Sequence, residues 1–546
     1  MKKKDSTFIS MTPLPAMVIL VVLFFIPLMM TLAQAVFHDG RFTLSFLKDT
    51  FSSPYNLKII SFTFKQALVS TLFSMLIGLP GAYIISRFSF KGRKLLRAIC
   101  TVPFVLPPIL VVLGFVIFYG NSGFLNRILM SVFGLKTPPL RILYSFQAII
   151  IAHSFYNFPV AMNIVSSSWE QLDESCEKAA RTLGSGKVRT FLSVTLPRLA
   201  PSILSSATLI FLFCFTSFAV ILVLGGGPQF TTMEVEIYNQ AKRAMNLNFA
   251  ASLSLMSMTI CLFVLGLNTL LQRKAASQAR IGSPTAPGRK LGKAGAVLTA
   301  VYIILLLFFV LAPIISVLAR SIISSSTRSG PKLISFEWYS RLFKGSTWQA
   351  VLNSITIALA SAFVSTILGL SLCIWIRRHN NSALEIIAML PMAISTVIIG
   401  LGYYIISRYL SKSPDFLLIV LAHVVITIPF VIRSIAPVYR SLPQNIMNAA
   451  MTLGCSPART FFSIELPLLR SSILTSLSFA FAISVGEMNA TMMLSNNRLE
   501  TIPTVIYRLI NSYNFQGACA LGSVLIVICF AIFLISESAR KRSAYV

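Results

Sequence analysis

The sequence predicts an all-α polytopic membrane protein with about twelve transmembrane helices, arranged as two parallel six-helix repeats. Three observations predict this class: the composition, a series of long apolar runs, and an internal duplication. Of 546 residues, 55% are hydrophobic and only 11% are charged, whereas about 25% of a typical soluble domain is charged. The composition therefore excludes an ordinary soluble protein.

Twelve apolar runs are each long enough to cross a hydrocarbon core of about 30 Å at about 1.5 Å per residue. The first run is longer than the apolar part of a secretory signal, so we expect it to remain as a helix. The runs lie near residues 14–36, 58–86, 98–119, 143–165, 201–224, 249–271, 294–319, 348–376, 384–407, 416–437, 471–494 and 517–536.

The formal net charge of +30 comes from short Lys and Arg clusters between the apolar runs. These clusters form no continuous basic face, so nucleic acid is not an expected partner. The clusters that follow the second, sixth, eighth and twelfth runs all fall on one side of the membrane if residues 2–4 are cytoplasmic. That is the arrangement typical of membrane proteins, and it predicts that both termini are cytoplasmic.

The chain contains an internal duplication. Residues 179–206 placed over 449–476 give sixteen identities in twenty-eight positions at a constant offset of 270. This predicts a first module over 1–272 and a second over 294–546, joined by a polar, basic, cytoplasmic linker over 273–293. Because each module contributes six crossings, an even number, both enter the membrane in the same orientation and the repeats are parallel.

Two matched loops follow the fourth span of each module. Small Ala pairs allow close approach of another backbone, a Gly allows a sharp turn after a helix, and Pro is tolerated where the next helix starts. We therefore predict a rigid helix–turn–helix at each loop, on the cytoplasmic side. The residues are Ala179, Ala180, Gly184, Leu196 and Pro197 in the first loop and Ala449, Ala450, Gly454, Leu466 and Pro467 in the second.

Both loops resemble the EAA loop of ABC importer permeases, with the pattern E-A-A-x3-G-x9-I-x-L-P. They depart from it at the leading Glu, which is Lys178 in one loop and Asn448 in the other, although Glu177 lies beside the first. Most of the chain is similar to the fused permeases of thiamine and ferric-iron importers, through segments 214–219, 224–238 and 501–507 among others. The similarity favours the thiamine branch by a small margin.

The resemblance implies the type I ABC importer permease fold in a bacterial inner membrane. It also implies two copies of a separate ATP-binding subunit, which dock on the two loops, and an extracytoplasmic substrate-binding protein that delivers a small cationic or metal substrate. The chain would then be a non-catalytic subunit without a cofactor of its own, because ATP is used by its partners. Residues 184–188 resemble a phosphate-binding loop, but Arg181 and Val188 stand where that motif needs Gly and Ser or Thr.

Glu487 is the clearest candidate on a translocation path, because an acidic side chain within a span is costly. A cation-attracting point and a buried interhelical hydrogen bond are equally good interpretations of it. Its counterpart at offset 270 is Ser217, so any charge is one-sided. The matched His153 and His423 favour hydrogen bonds between helices over metal ligation, and no metal site is predicted.

An alternative class is a secondary transporter with parallel 6+6 repeats, driven by an ion gradient. Such a transporter would place ionisable residues in several central helices, and it offers no reason for the matched loops.

Overall fold

The computed structural model describes residues 13–38, 41–173, 175–278, 292–323, 334–379, 382–410, 415–495 and 499–543. The basic residues at 2–4 and most of the predicted linker, 279–291, lie outside the described residues. The flanks of that linker are helical, since one helix continues to Gln278 and the next begins at Lys293.

The described chain is almost entirely helical, with one two-stranded antiparallel hairpin, β1 (Phe37–His38) and β2 (Arg41–Phe42). The first thirteen helices are α1 (Pro13–Val36), α2 (Ser45–Ser52), α3 (Pro54–Arg87), α4 (Arg93–Val105), α5 (Pro108–Tyr119), α6 (Phe124–Phe133), α7 (Phe146–Glu170), α8 (Ser175–Thr182), α9 (Lys187–Thr190), α10 (Leu196–Phe215), α11 (Ala219–Leu224), α12 (Met233–Tyr238) and α13 (Leu247–Gln278). The remaining helices are α14 (Lys293–Ile322), α15 (Glu337–Leu342), α16 (Gly345–His379), α17 (Ser382–Met389), α18 (Thr396–Tyr409), α19 (Asp415–Ser441), α20 (Gln444–Thr452), α21 (Pro457–Thr460), α22 (Leu466–Gly486), α23 (Asn489–Leu494), α24 (Ile502–Asn511) and α25 (Phe515–Ser543).

The expected number of membrane spans is confirmed in the described part of the chain. Eleven helices are long and apolar enough to cross a membrane, and a bent pair over Glu385–Ala393 and Thr396–Tyr409 makes a twelfth if it is one span. The two arms of that pair meet at 93°.

Four predicted spans are interrupted, where the apolar pattern predicts continuous helices. The third span breaks at Leu106 and Pro107, and the ninth breaks at Ile394 and Ser395. The fifth span, predicted over 201–224, breaks after Phe215, and the eleventh, predicted over 471–494, breaks after Gly486. The breaks fall in corresponding spans of the two repeats, so they belong to the repeated unit.

The chain forms two compact units. The first-repeat unit comprises residues 51–236 and 256–334, and the second-repeat unit comprises 1–50, 237–255 and 335–546. Each unit thus contains the first span of the other sequence module: α14 lies in the first-repeat unit and α1 in the second. The compact units therefore differ from the modules 1–272 and 294–546, whose boundaries describe the duplication of the sequence.

Helices α1 and α14 each pack against a glycine in the third span of the unit that contains them. A Cβ at Gly402 would lie 2.5 Å from the carbonyl oxygen of Pro27, and a Cβ at Gly114 would lie 3.1 Å from that of Pro313. Small residues at helix crossings let backbones in a membrane approach closely. Tyr403 reinforces the α1 contact by donating a hydrogen bond to the Leu23 carbonyl at 2.7 Å.

This close approach predicts that Gly402→Leu destabilises the protein, because overpacking a tight contact costs about 1–3 kcal/mol. We expect Gly114→Leu to be milder, since its contact is looser. Gly266→Leu is the matched control, because nothing lies within 4 Å of a Cβ at that helical glycine. Thermal unfolding of the three purified variants measures the effect, and equal Tm values for Gly402→Leu and Gly266→Leu would contradict it.

Candidate coupling loops and broken helices

The first predicted loop folds as a helix, a tight turn and a second helix. Helix α8 ends at Thr182 and is followed by a turn at Gly184, whose φ of +84° is in the left-handed region that glycine adopts without strain. The turn is closed by hydrogen bonds to the two alanine carbonyls: Leu183 N donates to Ala179 O at 3.1 Å and Ser185 N to Ala180 O at 3.0 Å. After α9, one π-helical turn over Phe191–Thr195 leads into α10.

The second loop repeats this geometry in full. Gly454 has φ of +88°, and Leu453 N and Cys455 N donate to the carbonyls of Ala449 and Ala450, each at 3.0 Å. A π-helical turn over Phe461–Glu465 again precedes the next spanning helix, α22. Leu196 and Leu466 begin α10 and α22, and Pro197 and Pro467 follow in the first turn, directly after the π-helical turns.

An apolar surface remains exposed on each loop. Leu183 and Leu453, next to the two turn glycines, are 88% and 86% exposed. Val188 adds to this surface in the first loop and Phe462 in the second. Apolar side chains gathered at a projecting tip indicate contact with another protein.

Asp173 lies at the start of the first loop and orders its first turn. Its carboxylate accepts hydrogen bonds from the backbone N–H of Ser175, at 2.9 Å, and from the Ser175 hydroxyl. These two hydrogen bonds lower the pKa of Asp173, so the carboxylate stays ionised beside the positive end of α8 at neutral pH.

The base of the first loop holds a buried ion pair that the sequence pattern did not predict. Glu177, on α8, pairs with Arg87, the last residue of α3. Thr195 donates a second hydrogen bond to the same carboxylate at 2.9 Å, and the Arg87 guanidinium lies 5.8 Å from the centroid of the Trp169 ring. Helices α3, α7, α8 and the start of α10 are thereby tied together where the loop leaves the membrane.

The base of the second loop contains the same groups in exchanged positions. Arg377 lies over the ring of Tyr439, 4.4 Å from its centroid, and Tyr439 donates a hydrogen bond of 2.5 Å to Glu465. At offset 270, Glu465 corresponds to Thr195, and Glu177 corresponds to the buried Met447. Each base therefore combines one arginine, one aromatic ring and one carboxylate. The carboxylate lies on the first helix of the loop in the first base and in the π-helical turn before the spanning helix in the second.

Matched breaks interrupt the helix that follows each loop, and a buried histidine contacts each break. His423 Nδ1 lies 2.7 Å from Ser484 Oγ, before the break, and Nε2 lies 2.9 Å from Thr491 Oγ1, after it. His153 Nε2 lies 2.8 Å from Ser217 Oγ at the first break, and its Nδ1 lies 3.1 Å from Ser70 Oγ on α3. Both rings thus make hydrogen bonds between helices.

Glu487 lies in the second break, where its buried carboxylate caps α23. It accepts hydrogen bonds from the backbone N–H groups of Asn489, Ala490 and Thr491 at 3.0, 3.2 and 3.1 Å. Its counterpart Ser217 lies in the first break. These contacts are those of a buried hydrogen-bonding group, and a role for either residue on a translocation path stays a prediction.

Sequence reasoning missed the helix breaks and the ion pair of the first loop. The ion pair had a signal in the sequence: the alignment that revealed the duplication places Met447 opposite Glu177 and Glu465 opposite Thr195. Within the described residues, no group of three His, Cys, Asp or Glu side chains is arranged to hold a metal ion.

The buried pair predicts a specific double-mutant result. Arg87→Met or Glu177→Met alone should lower stability by about 3–5 kcal/mol, because each breaks a buried ion pair by removing one partner. The double variant should recover most of that loss, since both charges are gone and Met already occupies the corresponding position 447. Denaturation of the four proteins in detergent gives the coupling energy, and additive losses would contradict the proposed pairing.

Comparison with known proteins places these features in one family. Residues 70–277 and 365–543 each match the family described as binding-protein-dependent transport system inner membrane component. The chain is 26% identical over 499 residues to the thiamine transport system permease protein ThiP of Haemophilus influenzae and 27% identical over 512 residues to that of Escherichia coli, with 90% of each chain covered in both cases. It is 24% identical over 486 residues to the ferric transport system permease protein FbpB of Actinobacillus pleuropneumoniae, covering 86% of this chain and 68% of that protein. The chain belongs to the family of binding-protein-dependent transport system inner membrane components and carries two fused copies of its domain.

Proposed function

We propose that this protein is the membrane permease of an ATP-driven importer for thiamine or its phosphates, with both termini in the cytoplasm. The observation that carries the ATP-driven mechanism is the pair of loops with matching turns and hydrogen bonds, each with exposed apolar residues at its turn and a buried polar base. The substrate assignment is supported by the relatives: the match extends over 90% of the thiamine permeases but over 68% of the ferric permease.

Two copies of an ATP-binding subunit would dock on the two loops, one on each. The exposed leucines, Leu183 and Leu453, offer each copy the same apolar contact. Because each loop continues through a π-helical turn into a spanning helix, a displacement of the tip would act on that helix as one body. ATP hydrolysis takes place on the partner subunits in this scheme, and an extracytoplasmic binding protein delivers the substrate on the opposite side.

In this scheme, the breaks in α10 and α22 lie at the ends of the helices that are remote from the loops. Helix α10 has 20 residues and α22 has 21, so each spans about 30 Å between its loop and its break. The breaks contain Ser217 and Glu487, which we propose as polar points on the translocation path. A carboxylate there favours a cation such as thiamine, although its three backbone hydrogen bonds already hold it in place.

Unpaired polar atoms beside the first break support a path at this level. Gln66 donates a hydrogen bond to the Cys214 carbonyl at 2.8 Å, and Asn157 donates one to the Cys214 sulfur at 3.3 Å. Gln66 Oε1 and Asn157 Oδ1 are buried without a hydrogen-bond partner among the described residues. Buried acceptors normally bind a partner, so a donor-bearing substrate or water would complete them.

The coupling proposal predicts that transport depends on the positive φ at the turn glycines and not on a tight contact around them. A Cβ at Gly184 or Gly454 would contact nothing within 4 Å, yet Val at positive φ is strained by about 1–2 kcal/mol. We expect Gly184→Val and Gly454→Val to reduce uptake of radiolabelled thiamine and retention of the ATP-binding subunit during purification. Asn tolerates positive φ, so Gly184→Asn and Gly454→Asn should retain both activities.

The same assay distinguishes the alternatives. Normal uptake and ATPase retention in both Val variants would contradict the coupling role. Uptake of ferric ion in place of thiamine by the wild type would contradict the substrate assignment but not the ATP-driven mechanism. Uptake that persists without the ATP-binding subunit and stops when the ion gradient is dissipated would favour a secondary transporter.

For Glu487, we expect Glu487→Gln to lower thiamine uptake several-fold while assembly with the ATP-binding subunit is maintained. The amide keeps the size of the side chain and one acceptor oxygen but removes the negative charge. Glu487→Asp is the matched control, because it keeps the charge. If Glu487→Gln transports normally and only lowers the Tm, the residue is a structural cap and lies off the path.

A further inference from the structure

An apolar groove lies on the first-repeat unit, between α14 and the pair α5 and α6. Its volume is about 390 Å³. Phe118, Phe124 and Ile128 line one side, and Phe308, Ala312 and Ile315 line the other. The rings of Phe118 and Phe308 meet edge to face with centroids 5.8 Å apart at one wall.

The groove lies in the half of the membrane opposite the first loop. Helix α7, which follows α6 in the chain, crosses the membrane and leads into the first loop, so the connection over residues 120–145 lies at the other surface. Along α14 the lining extends from Leu307 to Ala319. Those twelve steps cover about 18 Å, slightly more than half of a hydrocarbon core of about 30 Å.

A groove that lies between spanning helices at this depth of the membrane faces lipid. Phe308 and Ile315 are 54% and 55% exposed although they lie within the spanning part of α14. At hydrocarbon depth an extended peptide would leave its backbone N–H and C=O groups unsatisfied, whereas an acyl chain has no such groups. The length, one leaflet deep, also fits an acyl chain.

The segment over residues 120–145, which carries the lining residues Phe124 and Ile128 and is called the rim below, is basic and amphipathic. Residues 120–145 include Arg127, Lys136 and Arg141 but no Asp or Glu. On α6, Val132 and Phe133 are 69% and 68% exposed. Basic residues near the membrane surface attract anionic headgroups.

Asn126 holds this rim in a fixed conformation. Its buried amide donates hydrogen bonds to the carbonyls of Gly120, at 2.9 Å, and Leu140, at 2.8 Å, and accepts one from Leu140 N at 3.0 Å. The helix that carries Arg127 and two lining side chains is therefore fixed relative to the ends of its own loop.

We propose that the groove binds one acyl chain of an anionic phospholipid from the leaflet opposite the coupling loops, with the phosphate beside Arg127 and Lys136. The apolar lining selects the chain, and the basic rim selects the headgroup. This inference depends on membership of the inner-membrane family and on the groove itself, so it stands whether or not thiamine is the substrate.

Native mass spectrometry of the full-length protein, exchanged into micelles that contain phosphatidylglycerol and phosphatidylethanolamine, tests the proposal. We expect the wild type to retain phosphatidylglycerol preferentially. Ala312→Phe fills the groove and should lower retention about tenfold, the effect of losing roughly two buried methylene groups. Arg127→Gln should lower phosphatidylglycerol retention about fivefold and leave phosphatidylethanolamine unchanged.

Two controls make the result decisive. Val297→Phe enlarges an exposed side chain on the same helix outside the groove, and Lys344→Gln removes an exposed charge in the second-repeat unit; both should retain lipid as the wild type does. If Ala312→Phe does not fold, Ala312→Leu takes its place. Wild-type retention of lipid in the filled groove, or equal retention of the two phospholipids by the wild type, would overturn the proposal.

Discussion

The structure depends on the requirement that every backbone polar group within a membrane find a partner inside the protein. Continuous helices meet it automatically, but this chain interrupts its helices at matched places in both repeats. Side chains compensate there: the Glu487 carboxylate accepts three N–H groups at the start of α23, and Gln66 donates to the Cys214 carbonyl near the end of α10. These side chains therefore supply hydrogen bonds to backbone groups that the interrupted helices leave free.

The same helices connect the breaks to the two matched loops. Each loop is stiffened by a glycine turn, and its base is held by an arginine, an aromatic ring and a carboxylate. The two bases reach this arrangement with different residues, since Glu177 serves the first and Glu465 the second. Both loops lack the leading glutamate of the EAA pattern, yet each base contains an arginine, an aromatic ring and a carboxylate, with the carboxylate at exchanged positions.

Much of this structure could be predicted from the sequence, and the rest could not for physical reasons. Hydrophobic length predicted the number of spans, and the offset of 270 predicted the duplication and both glycine turns, because these depend on local residue type. The breaks near Ser217 and Glu487 were missed because their flanks are as apolar as a continuous helix. The exchange of α1 and α14 depends on the contacts of Gly402 and Gly114 with distant prolines, and no local pattern reports such contacts.

The central claim is that the two loop tips bind an ATP-binding subunit, and site-specific photo-cross-linking tests it most directly. A benzophenone side chain at position 183 or 453 in the assembled transporter should capture that subunit from either position, whereas the same side chain at position 132, exposed at the opposite surface, should not. Capture from both loop positions is the result that the account predicts. Absence of capture from both, in a complex that still transports, would contradict it.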